Sequence, residues 1–184
     1  MDLSGVCQHR PATVSDGRAS AVLVPVLAGE PRLLLHRRAD HLETHPGEMS
    51  FPGGRREPGD ATLRATAMRE AGEEVGLDGG EVTVVGRLDD ILTVTDFAVR
   101  PFVARVPDRG YRPRSPEVAE TVLVPVAALT DPDSYDSEHR EHPDGGRVRV
   151  HYFRVDGHTI WGATARILVQ LLALATDWTP PDLS

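Results

Sequence analysis

Cysteine is almost missing from this chain: Cys7 is the only one in 184 residues. No internal disulfide can form, which fits a reducing, cytoplasmic setting. Cys7 sits in a polar N-terminal stretch and is read as incidental. Long apolar runs are missing too. No stretch approaches the ~18 residues of a membrane span, and the first 18 residues contain Arg10, Pro11 and Asp16 in place of an apolar signal-peptide core. There is no surplus of positive charge either. With 28 acidic against 20 basic residues the net charge is −8, which argues against a general nucleic-acid binder. The chain therefore reads as a soluble cytoplasmic protein with no membrane and no nucleic-acid partner. If its ligand is a phosphate, local cations must come from arginines or from metal ions.

What is present is an ordinary globular composition, 40 % hydrophobic and 26 % charged, at a length suited to one domain. Residues 1–18 read as an N-terminal extension, 19–176 as the domain, and 177–184 as a C-terminal tail that frays around Thr179–Asp182. Ala21–Leu27 and Arg32–His36 read as a hairpin across Gly29-Glu30-Pro31. A loop rich in His, Pro and Gly follows to Gly59. A helix is expected over Ala61–Val75, capped by Asp60 and ended by Gly76, with Leu63, Ala67, Ala71 and Val75 as its buried stripe. Strands are expected at Val82–Leu88, Ala98–Val106, Thr121–Val126 and Val148–Val155. Pro101 marks the second of these as an edge strand or the site of a bulge. Pro107–Pro116 and Asp131–Gly146 read as loops, and Ala163–Ala175 as a strongly apolar helix. Strands mixed with two main helices suggest an α/β layered domain.

The chemistry concentrates in Gly53–Asp60 and Met68–Leu77. On a helix Glu70, Glu73 and Glu74 stand at i, i+3 and i+4, so three carboxylates share one face and repel by roughly 0.2–0.5 kcal/mol per pair. A solvated acidic face would be the plain reading. However, Gly72 lies mid-helix, at a cost of roughly 0.5–1 kcal/mol relative to Ala, and Gly53-Gly54 precede the helix. These point to a close approach by backbone or ligand. Carboxylates, water and phosphate are the oxygen set that Mg²⁺ prefers. His41 and His45, four apart in a Pro/Gly loop without a HExxH pattern or cysteines, do not make a zinc site. Trp161 is read as a core or docking aromatic.

The segment resembles the Nudix box, G, five residues, E, seven residues, REUXEEXGU. Here Gly54 is followed by five residues and Asp60, then by eight residues and Arg69-Glu70-Ala71-Gly72-Glu73-Glu74-Val75-Gly76-Leu77. It departs in having Asp for Glu, one extra residue, and the small Ala71 at U. Upstream, Leu34-Leu35-His36-Arg37-Arg38-Ala39, Gly47 and Phe51-Pro52-Gly53-Gly54 resemble the signature of the coenzyme A diphosphatases. His36 stands where Thr is usual and Glu43 where Arg is usual. Leu88-Asp89-Asp90, Arg100-Pro101 and Ile160–Ala165 extend that likeness.

The resemblance implies a Nudix α/β/α sandwich with a mixed sheet between helices. It implies hydrolysis of the diphosphate of CoA or acyl-CoA, with ADP-ribose, dinucleotides or modified nucleoside triphosphates as the alternative substrates and a non-catalytic ligand sensor as the alternative class. It implies Mg²⁺ or Mn²⁺ on Glu70, Glu73, Glu74 and the carbonyl of Gly53 or Gly54. Arg69 would orient the glutamates, and Glu73 or Glu120 would serve as general base. Arg38, His45 and Arg55 are the candidates for substrate contacts, guanidinium being well matched to phosphate. Arg56 is a further candidate cation. The reading leaves room for a homodimer.

Overall fold

The computed structural model describes residues 1–141 and 145–181. Its centre is a mixed eight-stranded sheet. β1 (Arg18–Leu27) and β2 (Arg32–Arg38) form the antiparallel hairpin, and β2 also pairs with β3 (Met49–Ser50). β4 (Gly53–Arg55) runs antiparallel to the start of β1. After α2 (Leu63–Val75) come β5 (Thr83–Arg87), β6 (Ile91–Leu92), β7 (Phe97–Val106) and β8 (Val118–Pro125), which runs into the short α3 (Val126–Leu129). β7 lies parallel to β1 along its whole length, and β8 lies antiparallel to β2. That one parallel pair makes the sheet mixed.

Strand alternation divides the core into two layers. Ala21, Leu23 and Leu34 face α2 (Leu63–Val75), whose Ala67, Ala71 and Val75 are buried against them. Val24, Val26, Leu33 and Leu35 face the other way, onto Leu168, Leu171 and Leu172 of α4 (Gly162–Ala175). A sheet sandwiched between helices, as expected, is what the two patterns produce. α2 starts later than expected. Thr62, not Asp60, is the N-cap, its side chain accepting the Ala65 N–H at 3.1 Å. Gly76 ends the helix at φ 71°, as its position suggested.

Three other segments differ from the expectation. The N-terminus is not set apart: α1 (Ser4–Gln8) places Leu3 and Val6 in the α4-side core. It fits closely, since a Cβ at Gly86 would meet the Val6 carbonyl at 2.9 Å. At the other end, Trp178 packs against the same core, with its ring 5.3 Å from that of Tyr135; Asp182 lies outside the described residues. Asp131–Gly146 is not all loop. Tyr135–Glu141 forms β9, which pairs with β10 (Arg147–Val155), and β10 in turn pairs with β11 (His158–Trp161) in a second, three-stranded sheet. β9 carries almost no apolar alternation. Its backbone ladder and pairs such as Tyr152 Oη to Glu138 at 2.6 Å hold it. Residues 142–144 of that stretch lie outside the described ones.

Pro101 is in an interior strand. The Pro101 carbonyl accepts the Leu88 N–H at 3.0 Å, so its side of the backbone faces the gap between β5 and β6. No ladder donor is needed there, which is how the proline is tolerated.

Asp90, in that gap, ties three elements together. Arg100 of β7 donates to it at 2.8 and 2.6 Å, Arg87 at 3.4 Å, and the Val14 N–H at 3.1 Å. Burial pushes its pKa up, but the Arg100 and Val14 hydrogen bonds outweigh this and hold the carboxyl below its ordinary value. A carboxylate so depressed stabilises the fold above its unfolded pKa of about 3.9, and that stability is lost as the pH falls through the folded value. Asp90→Asn is expected to cost about 3 kcal/mol at neutral pH. The gap between the two proteins in urea melts should narrow below pH 4. An unchanged gap would remove Asp90 as the source of the acid sensitivity.

Candidate active site

The site lies where α2 crosses β4 and β2. Gly53 and Gly54 lead into it, the first against rigid backbone and the second against a side chain of the site. A Cβ on Gly53 would run into the Ala21 carbonyl and the Val22 backbone, and one on Gly54 into the Glu70 carboxylate. Gly72 is less constrained, since a Cβ there would meet only the Leu77 carbonyl, at 3.4 Å, where the chain folds back after Gly76.

Glu74 is buried, at 6 % exposure, and the Gly53 N–H donates to its Oε2 at 2.9 Å. Burial is the main force on its pKa and pushes it up to about 8; the neighbouring Glu70 and Glu117 charges add to this, while the Gly53 N–H and Arg38 oppose it. Glu70 is half-buried and also raised, by burial first, with Arg69 pulling the other way. Two carboxylates that the protein makes expensive to ionise, set against a glycine cradle, suit a hard divalent cation. The Gly54 carbonyl accepts the Ser20 hydroxyl at 2.7 Å and, opposite Ala21, is turned to β1, whereas the Gly53 carbonyl lies on the same side of the backbone as the Gly53 N–H, away from β1, and is the one of the two placed to offer an oxygen. Glu73 shares the helix face but is exposed and turned to Arg69 at 3.2 Å. Among the described residues no three acidic, His or Cys side chains form a ready cage.

Arg69 is the hub beside them. Its Nε and Nη2 each donate to Asp60 at 3.1 Å, Nη2 donates to the Arg55 carbonyl at 3.2 Å, and Nη1 lies 3.1 Å from Glu70. Asp60 also accepts the Glu57 N–H at 2.9 Å. The Arg69 hydrogen bonds, with that N–H, hold the Asp60 carboxyl far below the usual carboxylate range. Asp60 thus serves as the anchor of Arg69 instead of capping α2.

The remaining candidates divide by sheet face. Leu34, His36 and Arg38 alternate toward α2. Arg38 is close enough to act on both His36 and Glu74; its Nε is buried without a partner, and its Nη2 reaches the Thr44 carbonyl at 3.4 Å. Arg37 points to the other face and holds Glu120 at 3.0 Å and Asp40 at 2.6 Å. Glu120 is therefore not brought to the Glu70–Glu74 face. Glu117, which sequence reading passed over, is the carboxylate of that segment whose charge reaches Glu74. His45, at φ 55°, is bound to Glu48 at 2.9 Å in the exposed loop. Arg55 stacks on the Phe97 ring, 4.8 Å from its centroid, with Arg18 at 4.0 Å. His36 also went unnoticed as a neighbour of Glu74, although the two-residue alternation of Leu34, His36 and Arg38 was there to be read.

The comparisons agree with this geometry. A family model described as the NUDIX domain matches residues 17–155. The chain is 36 % identical over 168 residues to the uncharacterized Nudix hydrolase NudL of Yersinia pestis (strain Pestoides F), covering 90 % of this chain and 84 % of that one. The same figures hold for NudL of Yersinia pseudotuberculosis serotype O:1b (strain IP 31758). Its fold resembles that of a MutT/nudix family protein from Enterococcus faecalis, at TM-score 0.56 and 12 % identity over 90 % of this chain and 64 % of that one. It also resembles the NUDIX domain of Shewanella oneidensis NrtR complexed with ADP ribose, at TM-score 0.50 and 14 % identity over 69 % of this chain and 84 % of that one. No helix among the described residues is long and apolar enough to cross a membrane. With the box helix, its glycine cradle and the Arg69 hub in place, the chain belongs to the Nudix family and is a hydrolase of pyrophosphate bonds.

Proposed function

We propose that this enzyme hydrolyses the diphosphate of CoA or an acyl-CoA, releasing 3′,5′-ADP and (acyl-)phosphopantetheine. The observation that carries the reading is that both halves of the coenzyme A-type signature meet at one carboxylate. Gly53 of the Phe51–Gly54 half donates to Glu74, and Arg38 of the Leu34–Ala39 half acts on it from β2.

Nudix enzymes generally use divalent cations such as Mg²⁺ or Mn²⁺. Glu70, Glu74 and the Gly53 carbonyl would hold one here, with Glu73 available from the same helix face. Such a cation, when bound, neutralises the diphosphate and acidifies an attacking water. The chain's own residues do the rest. Arg69, anchored by Asp60, fixes Glu70 and Glu73 relative to each other. Arg38, whose guanidinium is only partly buried, is the cation beside Glu74 for a substrate phosphate, and Arg55 stands next in line along β4. The chain contains no lysine, so its phosphate contacts fall to arginine, whose planar fork suits them. The proton of the attacking water passes to an exposed carboxylate of this face, Glu73 or Glu117.

Mass spectrometry of products from CoA, ADP-ribose and a nucleoside triphosphate, with Mg²⁺ or Mn²⁺ and EDTA controls, tests the reading. Metal-dependent 3′,5′-ADP and phosphopantetheine are expected from CoA, with little turnover of the others. Preferred cleavage of ADP-ribose or the triphosphate would discard the CoA assignment, and no turnover of any would favour a ligand sensor. Glu74→Gln is expected to abolish turnover while leaving Tm unchanged or raised, because the amide removes a charge that burial disfavours. Retained turnover would sink the ligand assignment. Gly54→Ala should displace the Glu70 carboxylate and lower kcat about 100-fold. Gly53→Ala, facing rigid backbone, should instead cost about 1–3 kcal/mol in denaturant melts.

A further inference from the structure

His36 is 1 % exposed, yet its Nδ1 has no hydrogen-bond partner. Among the described residues only Arg32 Nε and Arg38 Nε share that state. Buried polar atoms are normally paired, and an unpaired one in a well-packed layer calls for an explanation. An apolar side chain would fill the same space without the cost of desolvating a ring nitrogen.

The surroundings leave one partner. β2 is an interior strand here, with His36 opposite Ser50 on one side and Thr121 on the other. Both neighbouring hydroxyls donate elsewhere, Ser50 to the Phe51 carbonyl at 2.9 Å and Thr121 to the Tyr111 carbonyl at 2.6 Å, and neither is within hydrogen-bond reach of Nδ1. Arg38 can only donate. What faces Nδ1 is Glu74 Oε2, at 3.7 Å. This is the same oxygen that accepts the Gly53 N–H. An imidazole carries a ring N–H, and Nδ1 is the ring nitrogen left without a partner. At 3.7 Å the contact lies just beyond hydrogen-bond length.

We infer that His36 is a positioning residue for Glu74: its Nδ1–H donates to Oε2 alongside the Gly53 N–H, fixing the carboxylate for a divalent cation. Two donors on one oxygen hold the plane of the carboxylate and leave Oε1, which has no hydrogen bond among the described residues, facing away from them. This chain carries His where the coenzyme A-type signature carries Thr, so the device belongs to this sequence. The inference rests on Glu74 being a cation ligand.

The test titrates metal-free wild type, His36→Leu and His36→Asn with Mn²⁺ by isothermal titration calorimetry, with melting curves and steady-state kinetics alongside. His36→Leu is expected to melt at or above the wild-type temperature without metal. It should bind Mn²⁺ about 10–100-fold more weakly and lose kcat, with KM within about twofold. His36→Asn, whose amide nitrogen takes the place of Nδ1, should regain most of the affinity. If His36→Leu does not fold, His36→Met serves as the apolar arm. Wild-type Mn²⁺ affinity in the apolar variant, or Asn no better than the apolar residue, overturns the inference alone. A wild type that binds no Mn²⁺ overturns the ligand assignment of Glu74 and this inference with it.

Discussion

The close approach of β4 to α2 is the constraint on which the rest of the site depends. Glycine at 53 lets the strand pass this near to the β1 backbone, and glycine at 54 leaves the Glu70 carboxylate where it is. That contact closes solvent off from Glu74 and aims the Gly53 N–H at it. A carboxylate removed from water costs free energy unless it is protonated, hydrogen-bonded or paired with a cation. The protein supplies one hydrogen bond from Gly53 and an imidazole alongside, and leaves the rest of the demand to what binds there. The repulsion built into Glu70, Glu73 and Glu74 has the same meaning: a cluster disfavoured by itself is favourable in the presence of an opposing charge.

The sheet keeps chemistry and stability apart. Along β2, Leu33, Leu35 and Arg37 face the α4 layer, while Leu34, His36 and Arg38 face α2. The α4 layer is almost wholly apolar and extends from α1 to Trp178. The α2 layer starts apolar and turns polar toward Glu74. A one-residue slip of β2 would exchange the two sets. Pairing on both sides, with β1 and β8, prevents it. Ion pairs follow the same division. The Arg69–Asp60 clamp ties α2 to the segment before it, and the Arg100–Asp90 pair ties the N-terminal segment to the strands beneath α4. In a chain of net charge −8, arginines are held by carboxylates at both places, whereas Arg38 carries a buried Nε with no partner.

Local signals were enough for much of this. The helix of the box, its end at Gly76, the β1–β2 hairpin and the apolar α4 follow from periodicity and caps, because those depend on neighbours a few residues away. The start of α2 did not follow. Asp60 and Thr62 are both competent caps, and the choice was made by Arg69, which lies nine residues beyond Asp60 and captures its carboxylate. β9 stayed hidden because it is held by its ladder partner and not by an apolar face. Pro101 misled because the gap that tolerates it is a property of β5 and β6, not of β7.

By itself, then, the sequence determined the family and the cluster: three glutamates that repel on any helix, set beside an arginine and behind a pair of glycines. It also determined where the backbone must come close, through Gly53 and Gly54. The tertiary structure alone decided which polar residues join that chemistry. Sheet alternation and strand pairing sent Glu120 to the far face with Arg37 and brought His36, Arg38 and Glu117 toward Glu74. Which face of a strand meets the helix is set by the crossing of elements distant in sequence, and no local pattern carries that information.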